Sequence, residues 1–189
     1  MTKTALKSRD QLPEALRVLL NEYPRAVWQD DPNFEGLVRF WLDRHMMFRR
    51  LMTEMGSATE AMLDKKIAAE RYASVLSRYG GMFVNGLHEH HTIEDQHYFP
   101  RLSKMDKRIT RGFEILDKDH HDLDGLLADF VGNANAVLQN WQNPARLHEE
   151  SGRLQREIRK LEKLIDRHLV DEEELVVPVI LRYGAAGLH

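Results

Sequence analysis

The sequence contains no cysteine. That absence removes disulfides, thiolate metal sites and thiol catalysis together, and it suits a reducing cytoplasm, the expected location. No apolar run approaches the ~18 residues of a membrane span, and the opening MTKTALKSRD has no apolar signal core. Neither sign of charge dominates. Twenty-seven Lys and Arg stand against 30 Asp and Glu, a formal net charge of −3 with no long block of one sign. That balance gives no reason to expect a nucleic-acid or membrane partner. Proline and glycine are sparse, at 6 and 11 of 189 residues. What is plentiful is histidine, 10 in all, and HEHHTIEDQHYFP (88–100) holds four of them beside three acids.

Between the sparse prolines and glycines lie long helical patterns. Residues 1–33 predict an extension with a short helix over about 12–22, ending in the connector QDDPN. A first long helix is predicted over about 34–56. Its apolar positions Phe34, Val38, Trp41, Phe48, Met52 and Met55 alternate steps of four and three, as a buried seam does, with His45 interrupting it. A second runs over about 60–103, with irregularity expected at Gly80-Gly81. The third, about 109–141, has Phe113, Leu116, Leu123, Leu127 and Phe130 on its seam, with His120 among them. The fourth, about 145–182, has Leu154, Ile158, Leu161, Ile165, Leu175 and Val179, interrupted by His168 and Glu172. Nothing reads as strand. The pattern predicts an all-α chain: an antiparallel up-down-up-down four-helix bundle over 34–182, a short extra N-terminal helix, and a tail over 183–189.

The helices also pair as a degenerate duplication. RHMMFRRLM (44–52) matches DHHDLDGLL (119–127), and HHTIEDQHYFP (90–100) matches HLVDEEELVVP (168–178). Aligning Pro100 with Pro178 sets His90 on His168 and Glu94 on Glu172. His91 with Asp95 offers a competing and more apolar register, with Val84, Leu87, Tyr98 and Leu102. The internal match selects His90 and Glu94, leaving His91 as support or surface.

A lone Glu in an apolar core costs several kcal/mol unless paired, protonated or bound to a cation. Four His and two Glu at buried positions on four helices become tolerable around metal. Neutral imidazole with carboxylate suits iron, manganese or zinc. His and Glu four residues apart share one helix face, and two carboxylates able to bridge fit two ions better than one.

These motifs resemble the hemerythrin-like proteins of the HHE cation-binding class. The resemblance covers about residues 34–182: His45, His90-x-x-x-Glu94, His120 and His168-x-x-x-Glu172, each pair followed by proline six residues after the glutamate. It implies two iron ions bridged by an oxo or hydroxo group, with Glu94 and Glu172 bridging and His45, His90, His120 and His168 as terminal ligands. The oxygen carriers of that family have a second histidine in the third helix, where this chain has Asp124. Their fourth helix has His-x-x-x-x-Asp, where this chain has Glu172 at four residues and Glu173 at five. His97, on the His90/Glu94 face, and Asp124 are therefore candidates for an additional ligand or for support of one. His88, His121, His148 and His189 read as surface.

A ferritin-like site would need Glu-x-x-His on two helices. Glu94-x-x-His97 provides it once, and Ile165 stands where the fourth helix would need the second glutamate. The function expected is a di-iron protein that binds or reacts with a small oxidant: oxygen, peroxide or nitric oxide. An iron- or oxygen-sensing module without turnover is the alternative, and a structural bundle with merely hydrogen-bonded histidines is the third reading.

Overall fold

A computed structural model describes residues 4–186 and residue 188; His189 lies outside the described residues. The α-helices are α1 (Val18–Glu22), α2 (Leu37–Leu63), α3 (Ala69–Ile93), α4 (Phe99–Met105), α5 (Thr110–Gln139) and α6 (Pro144–Tyr183). No described residue lies in a strand, and no described helix is long and apolar enough to cross a membrane.

Local chemistry sets the ends of α6. Asn143 Oδ1 accepts the Arg146 N–H at 3.2 Å, satisfying one of the first-turn donors, and Pro144 is pre-set for the first helical position. Gly184, at φ +74°, ends the helix, its N–H reaching the Ile180 carbonyl at 2.8 Å.

Three expectations are corrected by the helix bounds. The first long helix does not stop near residue 56: α2 runs on to Leu63. Thr59 is buried there, its hydroxyl on the Met55 carbonyl at 2.8 Å. The break comes at Lys65, which adopts φ 57°. Second, α3 passes through Gly80-Gly81 uninterrupted. The irregularity falls instead at Glu94–Tyr98, a π-helical turn between α3 and α4. Third, the expected helix over 12–22 is a 3₁₀ turn at Glu14–Leu16 followed by α1.

The chain divides into two compact units. One comprises the chain up to Met46, His90–Asp122 and the chain from Asp166. Its apolar core includes Leu12, Leu19, Trp28, Val38, Phe113 and Ile180, so the N-terminal extension is built into it. The other comprises Met47–Glu89 and Leu123–Ile165. Its core is aromatic at the centre: Phe83 meets Phe48 and Phe130 edge-on, with ring centroids 6.3 and 6.1 Å apart. Tyr72 is fully buried, with its hydroxyl 3.2 Å from that of Thr59. Every residue of the site described next belongs to the first unit.

Candidate metal centre

Helix α2 carries His45, α3 carries His90 and His91 in its last turn, Glu94 opens the π turn, α5 carries His120, and α6 carries His168 and Glu172. All seven side chains are buried, from 8% exposure at His90 to none at His45, His168 and Glu172. They form two groups able to hold an ion: His45, His90, Glu94 and Glu172, and His91, His120 and His168.

The carboxylates connect the groups. Glu94 Oε1 lies 3.0 Å from His90 Nε2, and its Oε2 lies 3.5 Å from His120 Nε2. Glu172 Oε1 lies 3.4 Å from His45 Nε2, and its Oε2 lies 3.6 Å from His168 Nε2. Each carboxylate thus offers one oxygen to each group. The Nε2 atoms of His45 and His90 are 3.0 Å apart, and those of His120 and His168 are 3.2 Å apart. Two nitrogens each about 2.1 Å from one ion, at right angles, would stand about 3 Å apart. Helical phase explains the adjacent histidines: successive residues point about 100° apart, which suits two neighbouring ion positions better than one.

Hydrogen bonding supports the fit. Both ring nitrogens of His91, both oxygens of Glu94 and Oε2 of Glu172 are buried and have no hydrogen-bond partner. Buried polar groups are nearly always partnered, and leaving one unmade costs about 1–3 kcal/mol. Five such atoms converging on one place are what a bound cation would satisfy.

A second layer of acids orients the rings. Glu173 Oε1 lies 3.0 Å from His45 Nδ1, Asp95 Oδ1 lies 2.8 Å from His120 Nδ1, and Asp119 Oδ2 lies 3.5 Å from His168 Nδ1. At His45 and His120 an Nδ1–H donated outward leaves the Nε2 lone pair facing the centre. His168 Nδ1, by contrast, has no hydrogen-bond partner and has Asp119 beside it as a charge only. Trp41 Nε1 donates to Glu172 Oε1. Asp95 and Glu173 are the acids that follow Glu94 and Glu172 in the duplicated motif, so the pseudo-repeat extends to the ring supports.

Burial pushes His90 down to about 3 and His91 well below the usual imidazole range, and it lowers His168 as well. These rings are neutral donors at physiological pH. Burial also opposes protonation of His45, yet Glu172 and Glu173 outweigh it and raise this ring. Burial, and then the charge of Glu172, raises Glu94 well above the usual carboxylate range. Burial pushes Glu172 the same way, but His45 and His90 hold it well below. Left to themselves, the two carboxyls keep one proton between them.

All six residues singled out by the sequence motifs come together here. His91, assigned to support or surface, joins the second group, stacked on His120 with ring centroids 3.9 Å apart. The apolar stripe around it, with Val84, Leu87, Tyr98 and Leu102, was the signal that pointed inward. His97 and Asp124 are exposed and lie outside both groups. The π turn accounts for His97: it adds a residue over 94–98, so the helix phase advances and Phe99 turns inward while His97 turns out. On α5 the buried positions after His120 are Leu123, Leu126 and Leu127, which leaves Asp124 on the flank. His88, His121 and His148 are exposed, as expected.

No curated protein and no solved structure matches the chain. A family model does, over residues 36–180, and this span holds all seven residues of the site. The chain belongs to the hemerythrin HHE cation-binding domain family.

Proposed function

We propose that the chain is a non-haem di-iron protein that binds or reacts with a small oxidant: oxygen, peroxide or nitric oxide. The observation that carries this reading is the pair of imidazole groups sharing two buried carboxylates, each with one oxygen toward either group. Mixed imidazole and carboxylate donors suit iron, with manganese and zinc as the competing ions. His45, His90, Glu94 Oε1 and Glu172 Oε1 would hold one ion; His91, His120, His168 and the two remaining carboxylate oxygens would hold the other. Iron in those positions would supply redox chemistry and a coordination position for the oxidant.

The first position has fewer protein donors, and a cavity of about 230 Å³ reaches its ligands, lined by Phe40, Trp41, Arg44, His90, Ile93, Glu94 and Tyr98. Its walls are largely aromatic and apolar, which admits a small molecule while limiting bulk water. Trp41 packs on Tyr98 with ring centroids 4.8 Å apart, and its indole N–H holds Glu172 in place. Reconstitution with ferrous iron in air should give two irons per chain and new near-ultraviolet charge-transfer absorption. Iron that binds without any new absorption would sink the reading.

A sensing module without turnover is the second reading. It is favoured by the arginines that the N-terminal extension sends to the acids behind the rings: Arg25 Nη1 is 2.9 Å from Glu173 Oε2, and Arg9 Nη1 is 3.3 Å from Asp119 Oδ1. Binding that stabilises the folded chain would then change how firmly the extension is held. Equal melting temperatures with and without iron would remove this reading.

The family resemblance and the helix order support an antiparallel up-down-up-down bundle over 34–182. A cytoplasmic setting with no nucleic-acid or membrane partner is the corresponding proposal for where the protein works.

A further inference from the structure

The residues matched by the family begin at 36, yet one charged side chain from well before them is as buried as the ligands. Arg9 is 4% exposed, and its guanidinium is completely covered. Its Nη1 lies 3.3 Å from Asp119 Oδ1, its Nη2 donates to Asp119 Oδ2, and its Nε lies 2.8 Å from Asp171 Oδ2. Asp119 and Asp171 are themselves buried, at 1% and 0% exposure. Asp171 takes a second cation, Arg167, on its other oxygen at 2.7 Å. Asp119 is the acid behind His168, and Asp171 directly precedes Glu172.

We infer that Arg9 is a positioning residue of the metal centre: it locks Asp119, and through Asp119 the His168 ring, with Nε2 facing the second group. This inference rests on the di-iron reading above. The fork of a guanidinium fixes both oxygens of Asp119 in one plane, which a point charge cannot do. Asp119 Oδ2 is the oxygen shared between Arg9 and His168 Nδ1. Without Arg9, a buried carboxylate would be left to turn toward whatever donor remains, and His168 would lose the fixed negative charge held 3.5 Å from its Nδ1.

Arg25 acts in the same sense on the other side, through Glu173 to His45, although its own side chain is 42% exposed. The extension therefore completes the layer outside the ligands. Because coupling is reciprocal, ion binding in turn holds the extension down.

The test is an anaerobic cobalt(II) titration read by visible absorption, on the full chain and three variants. Arg9→Met removes the fork and keeps an apolar stem. Arg9→Lys keeps the charge without the fork. Leu12→Ala loosens the extension from its apolar seat, where Leu12 is 1% exposed, without touching either aspartate.

The expected result is two ions per full chain, with Arg9→Met weakening one of them about 10–100-fold, as loss of an outer support does. Arg9→Lys should recover part of that loss, and Leu12→Ala should bind as the parent does. Cobalt loading should also slow amide exchange over residues 6–16 in the parent but not in Arg9→Met. If Arg9→Met does not fold, Arg9→Lys carries the test, with a weakening of the same one ion. Parental affinity for both ions in the Arg9 variants would overturn the inference. So would an equal weakening by Leu12→Ala, which would make Arg9 a fastener only. A parent chain that binds no pair of ions would instead overturn the di-iron reading itself.

Discussion

Replacing His91 with leucine should change stability in opposite directions depending on whether metal is present. The ring is 4% exposed, and neither nitrogen has a hydrogen-bond partner. Burial keeps it neutral, so it carries one unmet donor and one unmet acceptor. Each such group costs about 1–3 kcal/mol. Leucine has similar bulk and removes both, at the loss of a ring stack on His120 worth about 1 kcal/mol. The net gain in chelator is about 2 kcal/mol, which in a chain of this length raises the melting temperature by about 4–8 °C.

With iron or zinc present, the same change removes an imidazole from the second position. An ion at 100 times its dissociation constant stabilises the fold by about 2.7 kcal/mol, and most of that increment should vanish for one of the two ions. Calorimetry in chelator and in excess metal reads both effects. A His91→Leu protein that melts lower than the parent in chelator, and gains as much from metal as the parent does, would refute the assignment of His91 and the reasoning from unmet polar atoms.

Glu94→Ala or Glu172→Ala should each reduce metal content to one ion or none, whereas His121→Ala, at an exposed position, should leave it at two; atomic absorption of dialysed protein reads both. Away from the centre, Asp106 supplies a pH test. Its carboxylate accepts from Arg108, chiefly the side chain but also the backbone N–H, and from Tyr183; these bonds outweigh burial and hold it down to about 2. Its folded-state value lies below the unfolded one, so its stabilisation is present above about pH 4 and fades as pH falls toward 2. The shift corresponds to about 2 kcal/mol, reduced to about 1 by solvent screening at the half-exposed Arg108. Asp106→Asn should lose that amount at pH 7 by urea denaturation and converge with the parent in acid. A constant deficit at every pH would contradict this.

The six ligand candidates were readable because helical periodicity predicts which positions are buried, and His or Glu at such positions needs a cation. The duplication supplied the register. It also misled, because the two halves differ where the π turn stands. One additional residue over 94–98 rotates everything after it, and no spacing rule distinguishes that from a straight helix. Straight-helix spacing therefore places His97 inward by a phase the helix does not keep. The same alignment of Pro100 with Pro178 gives the ligand register to His90 and sets His91 aside. Asp95 and Glu173 stood in plain view as the second acid of each motif, yet spacing along one helix does not show that they serve histidines on other helices. Arg9 was beyond reach for the same reason: it lies 162 residues from Asp171 in sequence, and a single arginine in an N-terminal extension looks solvated until the fold closes around it.

The most direct test of the account is the number of ferrous ions bound per chain at saturation under anaerobic conditions, measured by titration with separation of free metal. Two carboxylates, each offering one oxygen to either imidazole group, predict two. Saturation at one ion, or none, would contradict it.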